Sequence, residues 1–122
     1  MSTNTRTAVL WGHQQDWKIE DMVIDDPGPG EVLVDTAVAG MCHSDEHVVT
    51  GDMPVPFFPF IGGHEGSGVV AAVGEGVTSL EVGDHVSMSF IPACGHCKPC
   101  SSGKQNLCDE GAKLFDLQMM TR

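Results

Sequence analysis

The sequence is organised around a glycine-rich stretch, GHEGSGVV at residues 63–70, and the run CHSDEH at residues 42–47 that precedes it. Cysteine and histidine are ligands that zinc prefers, and a catalytic zinc site uses three protein ligands and leaves one position open. Cys42 and His64 could supply two of those three ligands. The clustered glycines let the backbone turn sharply and pack closely beside the proposed ligand, where a bulky side chain would not fit. The stretch therefore indicates a site and not a core strand.

A second cluster of potential ligands follows in the segment 94–108, which holds four of the five cysteines: Cys94, Cys97, Cys100 and Cys108. In a chain without a secretion signal, such clustering favours metal binding over disulfides. Four thiolates can close a tetrahedron around zinc and leave no open position, so we predict a structural-zinc loop. An iron–sulfur cluster is the alternative, but the ferredoxin pattern has proline after its last cysteine, and Asp109 stands here. His96 could ligate by residue type, but the four cysteines suffice, and we interpret it as an exposed loop histidine.

Short apolar runs bounded by turn residues predict strands in five places: 7–11, 17–20, 31–38, 68–74 and 82–88. Ser44 and Asp45 are good N-cap types, so a short helix is predicted to begin there and to end before Gly51. The proline-rich run 54–60 is predicted to be an extended loop. Short strands at close spacing predict a mainly β protein, an antiparallel barrel or sandwich.

Length and charge narrow the classes of function. A chain of 122 residues, 41% of them apolar, can bury one packed core, so we expect a single domain over residues 1–122. The net charge of −11 repels phosphate backbones and argues against a nucleic-acid partner. No apolar window approaches the length of a membrane span, and the start lacks the apolar run of a signal peptide. We therefore expect no membrane partner and a cytoplasmic location.

Taken together, the GHE motif followed by Gly68, the CHSDEH run and the four-cysteine cluster resemble the zinc-dependent medium-chain alcohol dehydrogenases. The resemblance covers nearly the whole chain. The sequence around Cys42 and in the segment 89–108 is most similar to that of bacterial nicotinoprotein alcohol dehydrogenases, which are assayed with a nitroso acceptor. It implies a GroES-like antiparallel barrel with short helices and a zinc-binding loop, followed by a Rossmann domain. The Gly-x-Gly-x-x-Gly motif, which binds a dinucleotide between a strand and the start of a helix in a Rossmann domain, does not appear in this sequence. We therefore expect an amino-terminal fragment of the catalytic domain, truncated before the Rossmann domain.

The resemblance also implies roles for residues of the first two motifs. Cys42 and His64 would bind a catalytic zinc, with a third ligand, a cysteine, from a segment beyond Arg122. Asp45 would accept a hydrogen bond from the far ring nitrogen of His64, which fixes the histidine tautomer. Glu65 would lie beside the metal as a carboxylate that does not ligate it.

The activity implied is the oxidation of alcohols to aldehydes, with zinc lowering the pKa of the bound alcohol and NAD accepting the hydride. The hydroxyl proton would leave through Ser44, the cofactor ribose and His47, since a serine hydroxyl can both accept and donate a proton. His43 stands where many relatives carry an arginine for the cofactor's pyrophosphate. Histidine is only partly protonated at neutral pH, so we expect cofactor affinity to depend on pH. The implied cofactors are NAD and two zinc ions, in an enzyme expected to be a homo-oligomer.

Other functions fit the same residues. A thiol-adduct formaldehyde dehydrogenase of the same family shares both motifs, and a zinc-stabilised binding module without chemistry needs only the four-cysteine site. An electron-transfer iron protein is a third possibility. The fragment alone is expected to be inactive. His13 and His85 lie outside both motifs and receive no role.

Overall fold

The structure is a computed structural model that describes residues 2–55 and 57–113. It divides into two compact units, with the boundary between Met88 and Ser89, just before the predicted zinc loop. The predicted single domain also included residues 114–122, which lie outside the described residues. None of the described helices is long and apolar enough to cross a membrane.

The described part of the first unit contains six strands and one helix: β1 Thr3–Leu10, β2 Lys18–Ile24, β3 Val32–Ala39, α1 His43–Thr50, β4 Phe60–Ile61, β5 Gly66–Val73 and β6 His85–Ser87. They form two three-stranded sheets, ordered β2-β1-β4 and β3-β5-β6, and every pairing is antiparallel. The predicted mainly β, antiparallel architecture is therefore confirmed.

In the first sheet, the hairpin of β1 and β2 runs from Thr3 opposite Ile24 to Val9 opposite Lys18. The end of β1 also pairs with the short β4, so this part of β1 is central in the sheet. Val9 and Leu10 are accordingly buried, with 1% and 0% of their surface exposed. This pairing places β4 beside the buried end of β1.

In the second sheet, β5 is the central strand, and Val70 at its middle is 1% exposed. A Cβ atom at Gly68 would collide with the backbone carbonyl of Asp35 on β3, so the close approach of the two strands requires glycine here. Just before β5, the Gly40 N–H donates to the carbonyl of Glu65 at 2.9 Å. The pairing therefore continues into the segments that carry the predicted ligands.

Helix α1 ends where the sequence predicted and begins earlier. Gly51 adopts the left-handed conformation, with φ 88°, and its N–H donates to the His47 carbonyl at 3.1 Å. The N-cap residue is Cys42, whose side chain makes no capping hydrogen bond, so the prediction of Ser44 or Asp45 at this position is wrong. Their propensity for the N-cap is outweighed by other partners, which are described below.

Two other predicted elements differ in length. The first hairpin is longer than predicted on both strands, because residues 3–6 pair with residues 21–24. The strand predicted at 82–88 shortens to His85–Ser87. The turn that contains Gly83, with φ 98°, occupies the residues before it. The described residues of the proline-rich run, 54–55 and 57–59, form a loop before β4 begins at Phe60.

The described part of the second unit has little regular structure. It contains two short helices, α2 Lys98–Ser101 and α3 Asp109–Ala112, with a 3-10 turn over Gln105–Leu107 between them. The side chains of Cys100 and Cys108 are buried, with 6% and 2% of their surface exposed. Its core is therefore built around sulfur and not around large apolar side chains.

Candidate metal centres

Three donor side chains meet in the first unit, at the end of β3 and the start of β5. The Sγ atom of Cys42, a ring nitrogen of His64 and a carboxylate oxygen of Glu65 all lie within 4.8 Å of one another. Cys42 and His64 are half-buried, and Glu65 is exposed. The structure thus brings together the two predicted ligands, which are distant in sequence, and adds the carboxylate that follows His64.

The spacing of these donors fits one zinc ion. In a tetrahedral site, zinc bonds of roughly 2.0 to 2.3 Å hold two ligand atoms about 3.3 to 3.8 Å apart. Atoms that all lie within 4.8 Å of one another reach that separation by side-chain shifts of about 1 Å. Thiolate, imidazole and carboxylate are also the ligand types that zinc accepts. The residues present therefore fit the metal that the family resemblance implies.

The two ring nitrogens of His64 face different partners. Its Nδ1 lies 3.8 Å from Oδ1 of Asp45, and its Nε2 lies 3.5 Å from the hydroxyl of Ser44. The Nδ1 distance is within ion-pair reach but is longer than a hydrogen bond, and Asp45 Oδ1 accepts the Gly63 N–H at 3.3 Å. Because Asp45 lies on the Nδ1 side, Nε2 is the nitrogen directed to the other donors.

Ser44 lies against the donors and not at the helix cap. Its hydroxyl donates to the Sγ atom of Cys42 at 3.2 Å, and it is half-buried. A hydrogen bond to sulfur favours the thiolate, the form of cysteine that binds metal. Ser44 therefore lies inside the first turn of α1, with its hydroxyl directed at the Cys42 sulfur, and is not the N-cap residue.

His47 lies one turn further along α1, on its solvent side. Its Nδ1 is 3.5 Å from Oδ2 of Asp52, and its side chain is 44% exposed. The hydroxyl of Thr50 donates to the same oxygen at 2.7 Å, and together the hydroxyl and His47 hold the pKa of the Asp52 carboxyl below its ordinary value. The His43 and His47 rings pack edge to face, with centroids 4.8 Å apart. Asp52 was not singled out from the sequence, although an acidic residue just after the end of a helix can be expected to contact a histidine in the last turn.

A cavity of about 720 Å³ opens beside the first group of donors. That volume is in the range of pockets that hold small molecules or parts of cofactors. Its wall combines apolar and polar side chains: Trp17, Met41, Cys42, His43, Asp45 and Glu46. The predicted cofactor contact, His43, therefore lies on the same cavity as the predicted ligand Cys42.

The four cysteines of the second unit form a separate group whose sulfur atoms lie within 4.8 Å of one another: Cys94, Cys97, Cys100 and Cys108. All are free thiols. The sulfurs of Cys97 and Cys108 are 3.9 Å apart, close to the roughly 3.8 Å expected for two sulfurs on one tetrahedral zinc. The geometry of the segment therefore fits a four-thiolate zinc site.

Backbone N–H groups already surround the sulfurs. Cys94 and Gly111 both donate to Sγ of Cys108 at 3.3 Å, and these bonds lower the pKa of the Cys108 thiol to about 6. Burial raises the pKa of the Cys100 thiol to about 12. His96 directs its Nδ1 to the Cys94 carbonyl at 2.9 Å and is not among the grouped donors. The site thus offers one thiol poised as a thiolate and three more within reach of the same ion.

Comparison with known proteins gives one consistent result. The model of the family described as "Alcohol dehydrogenase GroES-like domain" matches residues 28–119. A "Putative alcohol dehydrogenase D" from Mycobacterium tuberculosis is 53% identical over 112 residues, which cover 92% of this chain and 30% of that protein. An "NDMA-dependent alcohol dehydrogenase" from Amycolatopsis methanolica is 50% identical over 112 residues, with the same coverages of 92% and 30%.

A solved structure shares the fold. The crystal structure of an "Alcohol dehydrogenase zinc-binding domain protein" from Burkholderia ambifaria superposes with a TM-score of 0.85 at 38% identity. The match covers 93% of this chain and 30% of that one, and the chain likewise spans about 30% of the length of the curated relatives above. These matches confirm the GroES-like fold expected from the motifs. The chain belongs to the alcohol dehydrogenase GroES-like domain family.

Proposed function

We propose that this chain is the metal-bearing catalytic part of a zinc-dependent alcohol dehydrogenase, and that the whole enzyme oxidises alcohols to aldehydes with NAD. The observation that carries the proposal is the meeting of Cys42 and His64 within 4.8 Å, with Cys42 on the wall of a cavity of about 720 Å³. The names of the relatives support the oxidoreductase class. The proposal includes a small alcohol or aldehyde as partner and a cytoplasmic homo-oligomer as the assembled enzyme.

In this proposal Cys42 and His64 hold the catalytic zinc, and the rest of the whole enzyme completes the site. Asp45 holds the imidazole from its Nδ1 side, which leaves Nε2 for the metal. Glu65, with its oxygen inside the donor group, offers a further carboxylate beside the ion. When bound, zinc supplies the Lewis acidity that lowers the pKa of an alcohol hydroxyl, and nicotinamide supplies the hydride acceptor.

Two residues of α1 move the proton under this proposal. Ser44 is the first, because its hydroxyl lies within 3.5 Å of both metal donors and can accept a proton while it donates another. His47 is the second, because its ring faces Asp52 at the exposed side of the helix. Histidine is suited to exchange protons with water near neutral pH. His43, on the cavity wall, is proposed to contact the cofactor's pyrophosphate.

The second unit is proposed to bind one structural zinc through its four-cysteine group. The two N–H groups directed at Cys108 stabilise a thiolate before metal arrives, and the burial of Cys100 and Cys108 excludes water from the ion. A zinc-stabilised binding module would need this site alone. Metal content therefore separates that function from the enzyme.

The experiment is metal analysis of the whole enzyme that carries this chain, before and after substitution. We expect two zinc ions per chain in the wild type and one in Cys42→Ala and His64→Ala, with alcohol oxidation lost in both. His85→Ala, an exposed histidine on β6, is the matched control and should keep both ions. A single zinc that survives Cys42→Ala and His64→Ala would instead support the binding module.

A further inference from the structure

His13, which the sequence left without a role, contacts the end of the helix that carries the proposed proton path. Its Nδ1 lies 2.8 Å from the carbonyl oxygen of Val48, and the next backbone N–H, that of Gln14, donates to Val49 O at 2.7 Å. A helix leaves its last carbonyls without partners inside the helix, so these are the groups that need outside donors. Because a carbonyl only accepts hydrogen bonds, the Nδ1 of His13 carries the proton.

The His13 ring also contacts a second segment of the site. It packs edge to face on Phe58, with centroids 4.9 Å apart and an interplanar angle of 89°. It also covers Gly51, where an added Cβ would lie 3.6 Å from the ring. Phe58 belongs to the loop that leads to His64, whereas α1 follows Cys42 directly. One side chain therefore links the two segments whose ends must converge on the metal.

The backbone next to His13 is specialised for this contact. Gln14 has φ 58°, and it is the non-glycine residue in the left-handed region within the described part of the chain. Such a conformation is unfavourable for a side-chain-bearing residue and persists where surrounding contacts impose it. Here the Gln14 N–H bond to Val49 O and the His13 bond to Val48 O supply those contacts. Gln14 is thus held in an unfavourable backbone conformation by the bonds that it and His13 make to α1.

His13 contacts the last turn of α1, and this turn also contains His47. The carbonyl of His47 accepts the N–H groups of Gly51 at 3.1 Å and Met53 at 2.9 Å, which close the end of α1. That closure places Asp52 beside the His47 ring. A shift of the last turn of α1 would therefore move the His47 and Asp52 pair away from its present geometry.

We propose that His13 is a positioning residue of the candidate active site. Its Nδ1–H and its ring fasten the last turn of α1 to the loop that contains Phe58, and so they fix Ser44 and His47 relative to His64. The functional part of this inference rests on the proposed function, since it assumes that α1 carries the proton path. The attachment of α1 by His13 can be tested without measuring enzyme turnover.

The test uses three substitutions of His13 in the whole enzyme that carries this chain. Asparagine can place an N–H close to the position of Nδ1, whereas phenylalanine keeps the ring and removes the donor. Glutamine moves the donor to a more distant position and serves in place of phenylalanine if that variant does not fold. The matched control is His85→Asn, on an exposed histidine of β6. Three properties are measured: kcat/KM, bound zinc, and amide hydrogen exchange at Gln14, Gly51 and Met53.

We expect His13→Phe to speed amide exchange at these positions about fivefold, the effect of one hydrogen bond of ordinary net strength. It should lower kcat/KM severalfold with both zinc ions retained, and His13→Asn should restore both properties. Wild-type exchange and kcat/KM in His13→Phe would overturn the proposal, and so would a His13→Asn variant as impaired as His13→Phe. If Ser44→Ala and His47→Ala leave turnover unchanged, the proton path itself fails, and the exchange data still decide whether His13 fastens the helix.

Discussion

Removal of the Ser44 hydroxyl tests the proposed proton path at its first step. In the structure this hydroxyl donates to Cys42 Sγ at 3.2 Å and lies 3.5 Å from His64 Nε2. A substrate hydroxyl bound near both donors would therefore lie close to the Ser44 hydroxyl. Substitution by alanine removes this acceptor without removing a metal ligand.

Two effects of Ser44→Ala have different sizes. Loss of a positioned proton-transfer group lowers rates by a factor of about 100 to 10,000, and water can replace part of a lost hydroxyl, so we expect kcat/KM to fall about a hundredfold. Loss of one hydrogen bond to the Cys42 sulfur costs about 1 kcal/mol, which weakens zinc binding about fivefold. At saturating zinc the metal should remain bound. The rate loss should therefore exceed the metal loss by more than an order of magnitude.

The assay is steady-state alcohol oxidation by the whole enzyme, with zinc measured in the same samples. Ser44→Thr keeps a hydroxyl and should recover most of the activity, while Ser87→Ala, an exposed serine of β6, should behave as wild type. If Ser44→Ala retains wild-type kcat/KM with both zinc ions bound, Ser44 does not transfer the proton. If its activity falls only in proportion to its zinc content, the hydroxyl acts on the metal site alone.

Three further predictions concern other parts of the chain. His43→Arg should abolish the pH dependence of cofactor affinity between about pH 6 and 8, because arginine stays charged there. Titration calorimetry across that range measures this affinity, and a pH profile of the variant equal to that of the wild type would contradict the role of His43. Cys108→Ser should release the structural zinc and expose the second unit to protease, whereas Ser102→Ala should not, and a variant that keeps its zinc would contradict the four-thiolate site. Leu10→Ala should lower the free energy of unfolding by about 3 kcal/mol in urea denaturation, because this side chain is 0% exposed, and the exposed Thr3→Ala should cost far less.

The four-cysteine group could be predicted from the sequence because its geometry is local. Cys94, Cys97 and Cys100 lie within seven consecutive residues, and Cys108 follows eight residues later, so spacing alone indicates which side chains can share an ion. Cys42 and His64 differ, because their meeting depends on the pairing of β3 with β5 and on the Gly40 bond to Glu65. No local pattern contains that information, and only the family resemblance anticipated it.

The misplaced helix cap shows where residue preferences fail. Ser44 and Asp45 have the side chains of good caps, but both are used by the site, Ser44 on the sulfur of Cys42 and Asp45 on the Gly63 N–H. The helix can therefore begin earlier, after Cys42, without a side-chain cap. The role of His13 was also beyond sequence reasoning, because its contact with Val48 forms only after α1 has packed, whereas Asp52 makes a local contact just past the helix stop.

The most direct measurement is the position of the metal in a crystal of the whole enzyme, mapped by anomalous scattering at the zinc edge. We expect two peaks per chain. One should lie about 2.3 Å from the Cys42 sulfur and about 2.1 Å from Nε2 of His64, and the other should lie among the four sulfurs of the segment 94–108. A zinc-saturated crystal with a peak only among those four sulfurs would contradict the proposed active site.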